Sequence, residues 1–506
     1  MTDAERIEFG DFQTPPALAR QVVGLLRSKG LTPKAVLEPT CGLGAFVEAS
    51  LEGFSTAAVV ALDINADYVR KTAALDRLPL TQARLSCRVA NFFAENWIET
   101  VRALPKPLLV IGNPPWVTAS GLGAIGSTNT PDKSNFQQRR GLDALTGKSN
   151  FDVAEWMLLK LLEAAGGDPV VVAMLVKTSV ARRVLSHLWS TGAPVQDVAM
   201  FRFDAAAQFG VSADACLFYC QMGRRHSLEC SIAALDNPDV PIGRVGWRDG
   251  TLVSDPVAYD QNCTLLMGPI DTPVVRWRSG VKHDCSAVME FDRVEGGFLL
   301  NGRGERVELE PEYVYPLLKS TDLAHARCTT VRKWLLVTQG RPGEDTSVIS
   351  ARAPKTWSYL REHGDQLDGR RSSIYRNRPR FSVFGVGPYT FSPWKVAISG
   401  LHKKLAFSVV GPIEDRPVVF DDTCYHLSFQ SPEAARYAAE LLNDDRSRAL
   451  LSSLIFWDAK RPITVETLQR LDLKRVAALT GGIDTLDSLP GGVDRGSMAH
   501  QSTFAF

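Results

Sequence analysis

The sequence predicts an α/β fold, a doubly wound and largely parallel sheet followed by a second, α+β region. Two observations carry this expectation. First, short apolar runs ending in small or polar residues alternate with helix-like segments through residue 225, the pattern of strands flanked by helices. Second, the pattern gives way from Gly223 to Leu300 to short segments broken by Pro and Gly, and a new globular composition resumes at Glu308.

The candidate strands are Ala35–Leu37, Ala57–Leu62, Leu85–Ala90, Leu108–Ile111, Val170–Val176, Val195–Phe201 and Ala215–Cys220. Phe151, Ala154, Leu158, Leu161 and Leu162 recur at helical spacing and predict a helix to Ala165, ahead of the fifth strand. Thr118–Asn150 breaks the rhythm with Gly, Ser, Thr and Asn, and reads as a long functional or disordered loop. Residues 226–307 read as a β-rich connector, 308–480 as a second domain, and 481–506 as a mobile tail. Helices are expected at Pro354–Leu367, Ser431–Leu442 and Arg446–Ser453.

At 506 residues, 45% hydrophobic and 22% charged, the chain has the composition of a soluble globular protein of two to four units. It shows no apolar run long enough for a membrane span and no basic-apolar leader, so a cytoplasmic protein is expected. Nine scattered cysteines without a Cys-x-x-Cys pair predict free thiols and no structural zinc. A net charge of +1 excludes a globally basic protein, so a nucleic-acid surface must be local. Arg370, Arg371, Arg376, Arg378 and Arg380, with Tyr375 among them, form such a candidate surface; a solvated charged face is the alternative reading.

Ligands of open parallel sheets bind beyond the carboxyl ends of the strands, so the residues following each strand carry information. After the first come Glu38, Pro39, Thr40, Cys41, Gly42, Leu43 and Gly44, whose glycines permit a tight turn and close backbone approach. After the second comes Asp63, about 20 residues beyond Gly44, where an acid hydrogen-bonds ribose hydroxyls. The third ends in Asn91 and Phe92, a polar group and a ring suited to an adenine, with helix capping as the alternative for Asn91.

The fourth strand ends in Asn113-Pro114-Pro115-Trp116, the most specific signal in the chain. An exocyclic base amine is a poor nucleophile because its lone pair is delocalised into the ring. The Asn113 side-chain oxygen and the Pro114 carbonyl are two acceptors able to localise that lone pair, the prolines stiffen the turn, and Trp116 offers a stacking face.

With these residues in view, residues 10–225 resemble the gamma-class amino-methyltransferases of bacterial restriction-modification systems. The resemblance implies a Rossmann-like, seven-stranded S-adenosylmethionine-dependent methyltransferase domain acting on the N6 amine of adenine. It assigns Thr14 in Phe12-Gln13-Thr14-Pro15, Glu38, Pro39, Cys41, Gly42, Gly44, Asp63, Asn91 and Phe92 to the cofactor. It assigns Asn113, Pro114, Pro115 and Trp116 to catalysis, and Phe209 to stacking on a flipped base opposite Trp116. Asn91 departs from the commoner Asp, which implies a retuned cofactor contact, and Trp116 from the commoner Tyr or Phe. Extruding a base costs a few kcal/mol, and stacking returns about 1–3 kcal/mol.

The region after Glu308 resembles a target-recognition domain in Tyr315–Asp322, the arginine run and Pro393-Trp394-Lys395, which makes double-stranded DNA the expected partner. Because the Phe12-Gln13-Thr14-Pro15 motif opens the chain, methylation without cleavage is expected, with a separately encoded endonuclease as a partner to consider. The alternatives are methylation of an RNA base or a protein glutamine, and a non-catalytic specificity subunit.

Overall fold

The structure is a computed structural model that describes residues 13–77, 85–117, 152–269, 271, 273, 275–294, 296 and 298–482. The loop expected at 118–150, Phe12 of the first motif and nearly all of the 481–506 tail lie outside the described residues. Two compact units divide the chain, residues 1–256 and 257–506.

In the first unit, helix α1 (Pro16–Ser28) precedes strand β1 (Ala35–Glu38), followed by α2 (Ala45–Gly53), β2 (Ala58–Asp63), α3 (Ala66–Ala73) and β3 (Leu85–Val89). Then come α4 (Trp97–Ala103), β4 (Leu108–Gly112), α5 (Val153–Ala165), β5 (Val170–Lys177) and α6 (Thr178–Ser190). The unit closes with β6 (Val195–Asp204), the short α7 (Ala205–Phe209), β7 (Asp214–Met222), β8 (Glu229–Ala234), β9 (Asn237–Arg248) and β10 (Thr251–Val253). All seven expected strands form within a few residues of their sequence bounds. Their strong apolar runs explain this, since β1, β4 and all but the last residue of β5 are buried on both faces.

The described strands form one sheet in the order β10-β9-β8-β6-β7-β5-β4-β1-β2-β3. β1 pairs in parallel with both β2 and β4, so the chain winds outward in opposite directions on either side of the β1/β4 boundary. That boundary is the switch point at which α/β sheets open a ligand crevice.

The first seven strands are largely parallel with one reversed, and one boundary departs from the sequence expectation. β7 inserts antiparallel between β5 and β6. The connection from Asp204 to Asp214 holds only the five-residue α7, too short for the crossover that parallel strands need. The expected boundary at residue 225 and the separate connector at 226–307 give way. β8 pairs in parallel with β6, and β9 and β10 continue the same sheet to Val253, because Cys230, Ile232 and Ala233 bury apolar side chains against it. From Val257 onward that stretch belongs to the second unit.

The second unit is α+β. Its described strands form a four-stranded antiparallel sheet containing Trp394–Ser399 and Cys424–Phe429, and a six-stranded mixed sheet containing Glu290–Arg293, Val314–Leu318 and Lys333–Leu336. The expected helices occur at Pro354–Glu362 with a further turn at Gly364–Asp368, at Pro432–Asn443 and at Asp445–Ser453. Phe291, Trp334, Leu335, Leu360 and Phe381 are among the residues of its main core. All nine cysteines are free thiols. No described helix is long and apolar enough to cross a membrane.

Candidate active site

The turn after β1 is a tight, mostly buried glycine cradle. Gly42 and Gly44 have φ of 51° and 86°, the left-handed region that disfavours side chains. A Cβ on Gly42 would lie 2.7 Å from Gln13 Oε1, and one on Gly44 2.9 Å from Thr72 Oγ1. The Asp63 carboxylate ties this turn to the next strand end, accepting from Gly42 N and Asn65 N at 2.8 Å each. Thr72 Oγ1 donates to Gly42 O at 3.1 Å from α3. Gln13 Oε1 accepts from Leu43 N at 2.9 Å, so the N-terminal motif reaches the turn through Gln13 while the assigned Thr14 is half-buried beside it.

Glu38 is 3% exposed, and its Oε2 has no hydrogen-bond partner among the described residues. Burial pushes its carboxyl well above the usual range, and the Asp63 charge pushes it further, against a hydrogen bond from the Val47 backbone. Cys41 contributes backbone: its carbonyl accepts from Gly44 N, while burial holds its thiol protonated. Pro39 is buried beneath the turn.

At the third strand end the two assigned residues make local contacts. Asn91 is exposed and its Oδ1 accepts from Phe93 N at 3.0 Å, a local turn. Phe92 is 6% exposed, packs on Trp97 with ring centroids 4.3 Å apart, and its carbonyl accepts from Trp97 Nε1. Asn91 does not cap a helix, since the next one is capped by Asn96, but closes a local turn, and Phe92 packs among core rings.

Across the switch point, Asn113 follows β4 directly, half-buried, with Pro114 buried behind it. Gly112 above them pairs with Met174, and a Cβ there would lie 3.7 Å from Glu38 Cγ, so the turns after β1 and β4 are adjacent. Trp116 is 7% exposed and its Nε1 donates to Leu175 O at 3.1 Å. Its ring meets Phe209 edge to face, centroids 5.3 Å apart at 65°, with Phe203 at 6.5 Å. The two aromatic residues assigned to either side of a base are therefore brought together, and in the free protein they touch each other. Sequence reasoning missed Lys177 and Asp152, which also converge here: Lys177 Nζ lies 3.0 Å from Trp116 O and 2.7 Å from Asp152 Oδ2. A charged residue closing the otherwise apolar run of β5 was the available signal.

In the second unit the arginine run divides. Arg370 donates to three carbonyls, Leu367 O at 2.6 Å, Ser382 O at 2.8 Å and His283 O at 3.2 Å, and lies 3.7 Å over the Tyr375 ring. Its donors are engaged inside the unit, which removes it from an outward-facing set. Arg380 is half-exposed, pairs with Asp368 at 2.8 Å and packs on Phe381. Arg371, Arg376 and Arg378 are exposed.

No family model matches the chain. Along 97% of its length it is similar in fold to the type IIL restriction-modification enzyme MmeI solved in complex with DNA, with TM-score 0.50, 14% identity and 80% of that chain covered. The fold is thus that of a Rossmann-like α/β domain followed by an α+β unit. The chain is also 42% identical over 475 residues to the type II methyltransferase M.NspV of Nostoc sp., covering 93% of this chain and 98% of that one. It belongs to the type II methyltransferases of restriction-modification systems, and S-adenosylmethionine is its expected cofactor. The residues fit that group: a cationic nucleoside suits a cradle with two adjacent acids, Glu38 and Asp63, one carrying a buried oxygen without a hydrogen-bond partner.

Proposed function

We propose that the chain methylates the N6 amine of adenine in double-stranded DNA, on a base extruded from the helix. The observation that carries this reading is the Asn113–Trp116 turn standing at the switch point beside the Glu38–Gly44 cradle. S-adenosylmethionine supplies an activated methyl group. The protein's part is to align the amine with it and to accept the amine hydrogens at Asn113 Oδ1 and Pro114 O. Asn at position 113 supports adenine over cytosine through the family resemblance. Trp116 is held by Leu175, so Phe209, half-buried on the five-residue α7, is the ring that gives way to a base.

Sequencing DNA with base-modification detection from cells expressing the chain tests this directly. N6-methyladenine in one short motif is expected, and methylcytosine or an unmodified genome would contradict the reading. Strand cleavage by this chain is not expected, since the relative it matches over 98% of that protein's length is named a methyltransferase. Fragments from unmodified DNA incubated with the protein and Mg²⁺ would contradict that.

Arg371, Arg376 and Arg378 are the basic residues proposed to face DNA. Replacing all three with Ala weakens DNA binding and flattens the log-log dependence of affinity on salt by roughly one unit for each phosphate that is no longer neutralised. An unchanged salt slope would place the DNA elsewhere.

Glu38 gives a pH-dependent prediction. A carboxyl whose value is raised in the folded state holds its proton there longer, so its contribution makes stability fall as pH rises through the usual carboxylate range toward the raised value. A bound cation favours the charged form, so S-adenosylmethionine binding releases a proton in that window. Calorimetry in buffers of different ionisation enthalpy reads this release, and Glu38→Gln abolishes it. A buffer-independent heat for the native chain would contradict it.

A further inference from the structure

We propose that Lys177 and Asp152 form a positioning pair that fixes the Asn113–Trp116 turn for methyl transfer. This rests on that turn being the catalytic one.

The turn is suspended between two anchors. At its front, Gly112 is held in the sheet opposite Met174 of β5. At its rear, β5 grips Trp116 twice, with Leu175 O accepting from the indole Nε1 at 3.1 Å and Lys177 Nζ donating to the backbone carbonyl at 3.0 Å. Only Asn113, Pro114 and Pro115 lie between, and the prolines fix their own φ. Setting the peptide after Trp116 therefore leaves few rotations by which Asn113 Oδ1 and Pro114 O can move.

Lys177 is itself fixed. Its ammonium pairs with Asp152 Oδ2 at 2.7 Å, a carboxylate only 5% exposed, whose other oxygen accepts from Ala154 N at 3.2 Å to cap α5. Beside this pair, Val153 N donates to Val117 O at 2.9 Å. The residues on either side of segment 118–151 are thus joined at the same point where the turn is held. An ion pair serving only α5 would not need to reach the Trp116 carbonyl. Lys177 spans both, which makes the start of α5, the last residue of β5 and the end of the turn one unit.

Removing Lys177 alone would leave the Asp152 charge buried without its partner, so the informative variant is the double one, Asp152→Asn with Lys177→Met. Full-length protein is assayed with tritiated S-adenosylmethionine and unmodified phage DNA, alongside calorimetric cofactor affinity and thermal unfolding. The expected result is a fall in turnover of about 100-fold, the scale of a 1 Å misplacement, with KM for DNA and cofactor affinity within about twofold. Lys177→Arg, which keeps a charge and a donor, retains most of the turnover. Turnover of the double variant within about threefold of native, or cofactor affinity falling in step with turnover, overturns the positioning role. Asn113→Ala run in parallel separates the two readings. If it keeps native turnover, the turn is not catalytic and the pair has nothing to position; if only the lysine variants are silent, the turn stands and the pair does not.

Discussion

Asn113→Ala lowers methyl transfer by about 10²–10³-fold, the scale on which a single prepositioned polar group acts in a transition state. Cofactor affinity stays near native, because the Glu38–Gly44 cradle and Asp63 are untouched. The reason is chemical. In the proposed reaction the lone pair of the adenine amine is drawn into the ring, and an acceptor placed on one of its hydrogens draws it back toward nitrogen as the methyl arrives. Pro114 O would remain as the second acceptor, so residual turnover above background is expected. Single-turnover transfer with saturating cofactor and DNA is the measurement, and a rate within about threefold of native would remove Asn113 from the chemistry.

Asp63→Ala acts on the other half of the site and lowers S-adenosylmethionine affinity by about 100-fold or more. Its carboxylate holds Gly42 N and Asn65 N together, and each such charged hydrogen bond contributes roughly 1.5–3 kcal/mol. Without them Gly42 loses its tie to the end of β2, leaving the Cys41 N to Leu62 O bond between turn and strand, and the proposed ligand loses an acid. Asp63→Asn keeps one acceptor oxygen and falls between. Calorimetry on folded protein checks the order, and an affinity for the alanine variant within about threefold of native would show that the turn stands without Asp63.

Much of this fold and site is legible in the sequence, for identifiable physical reasons. The seven strands of the first unit are short, dense apolar runs with little alternative, and the residues at their ends are special types in fixed order. β8 to β10 were not readable as part of that sheet. β9 carries Pro238, Pro241, Gly243 and Gly246, which look like a connector in sequence and become tolerable on strands near a sheet edge. At the site, residues acting through backbone geometry were legible, since Gly and Pro announce themselves. Side-chain contacts were harder to read: Lys177 is of a common type and was not singled out, Gln13 stood in the first motif without a role of its own, and only the fold brings them to the turns they hold. Asn91 is ambiguous in sequence for a related reason, because an Asn at a strand end serves a local turn as readily as a ligand.

The Arg370 side chain, fastened to three carbonyls, sets terms for how this protein can change its target. It works as a rivet for a loop whose outward arginines carry no such duty. If those arginines read DNA, as proposed, substitutions at Arg371, Arg376 and Arg378 would revise the message while the mount stays put. Selection for a new recognition sequence would then meet little resistance from folding at three positions and strong resistance at the fourth, although all four have the same chemistry.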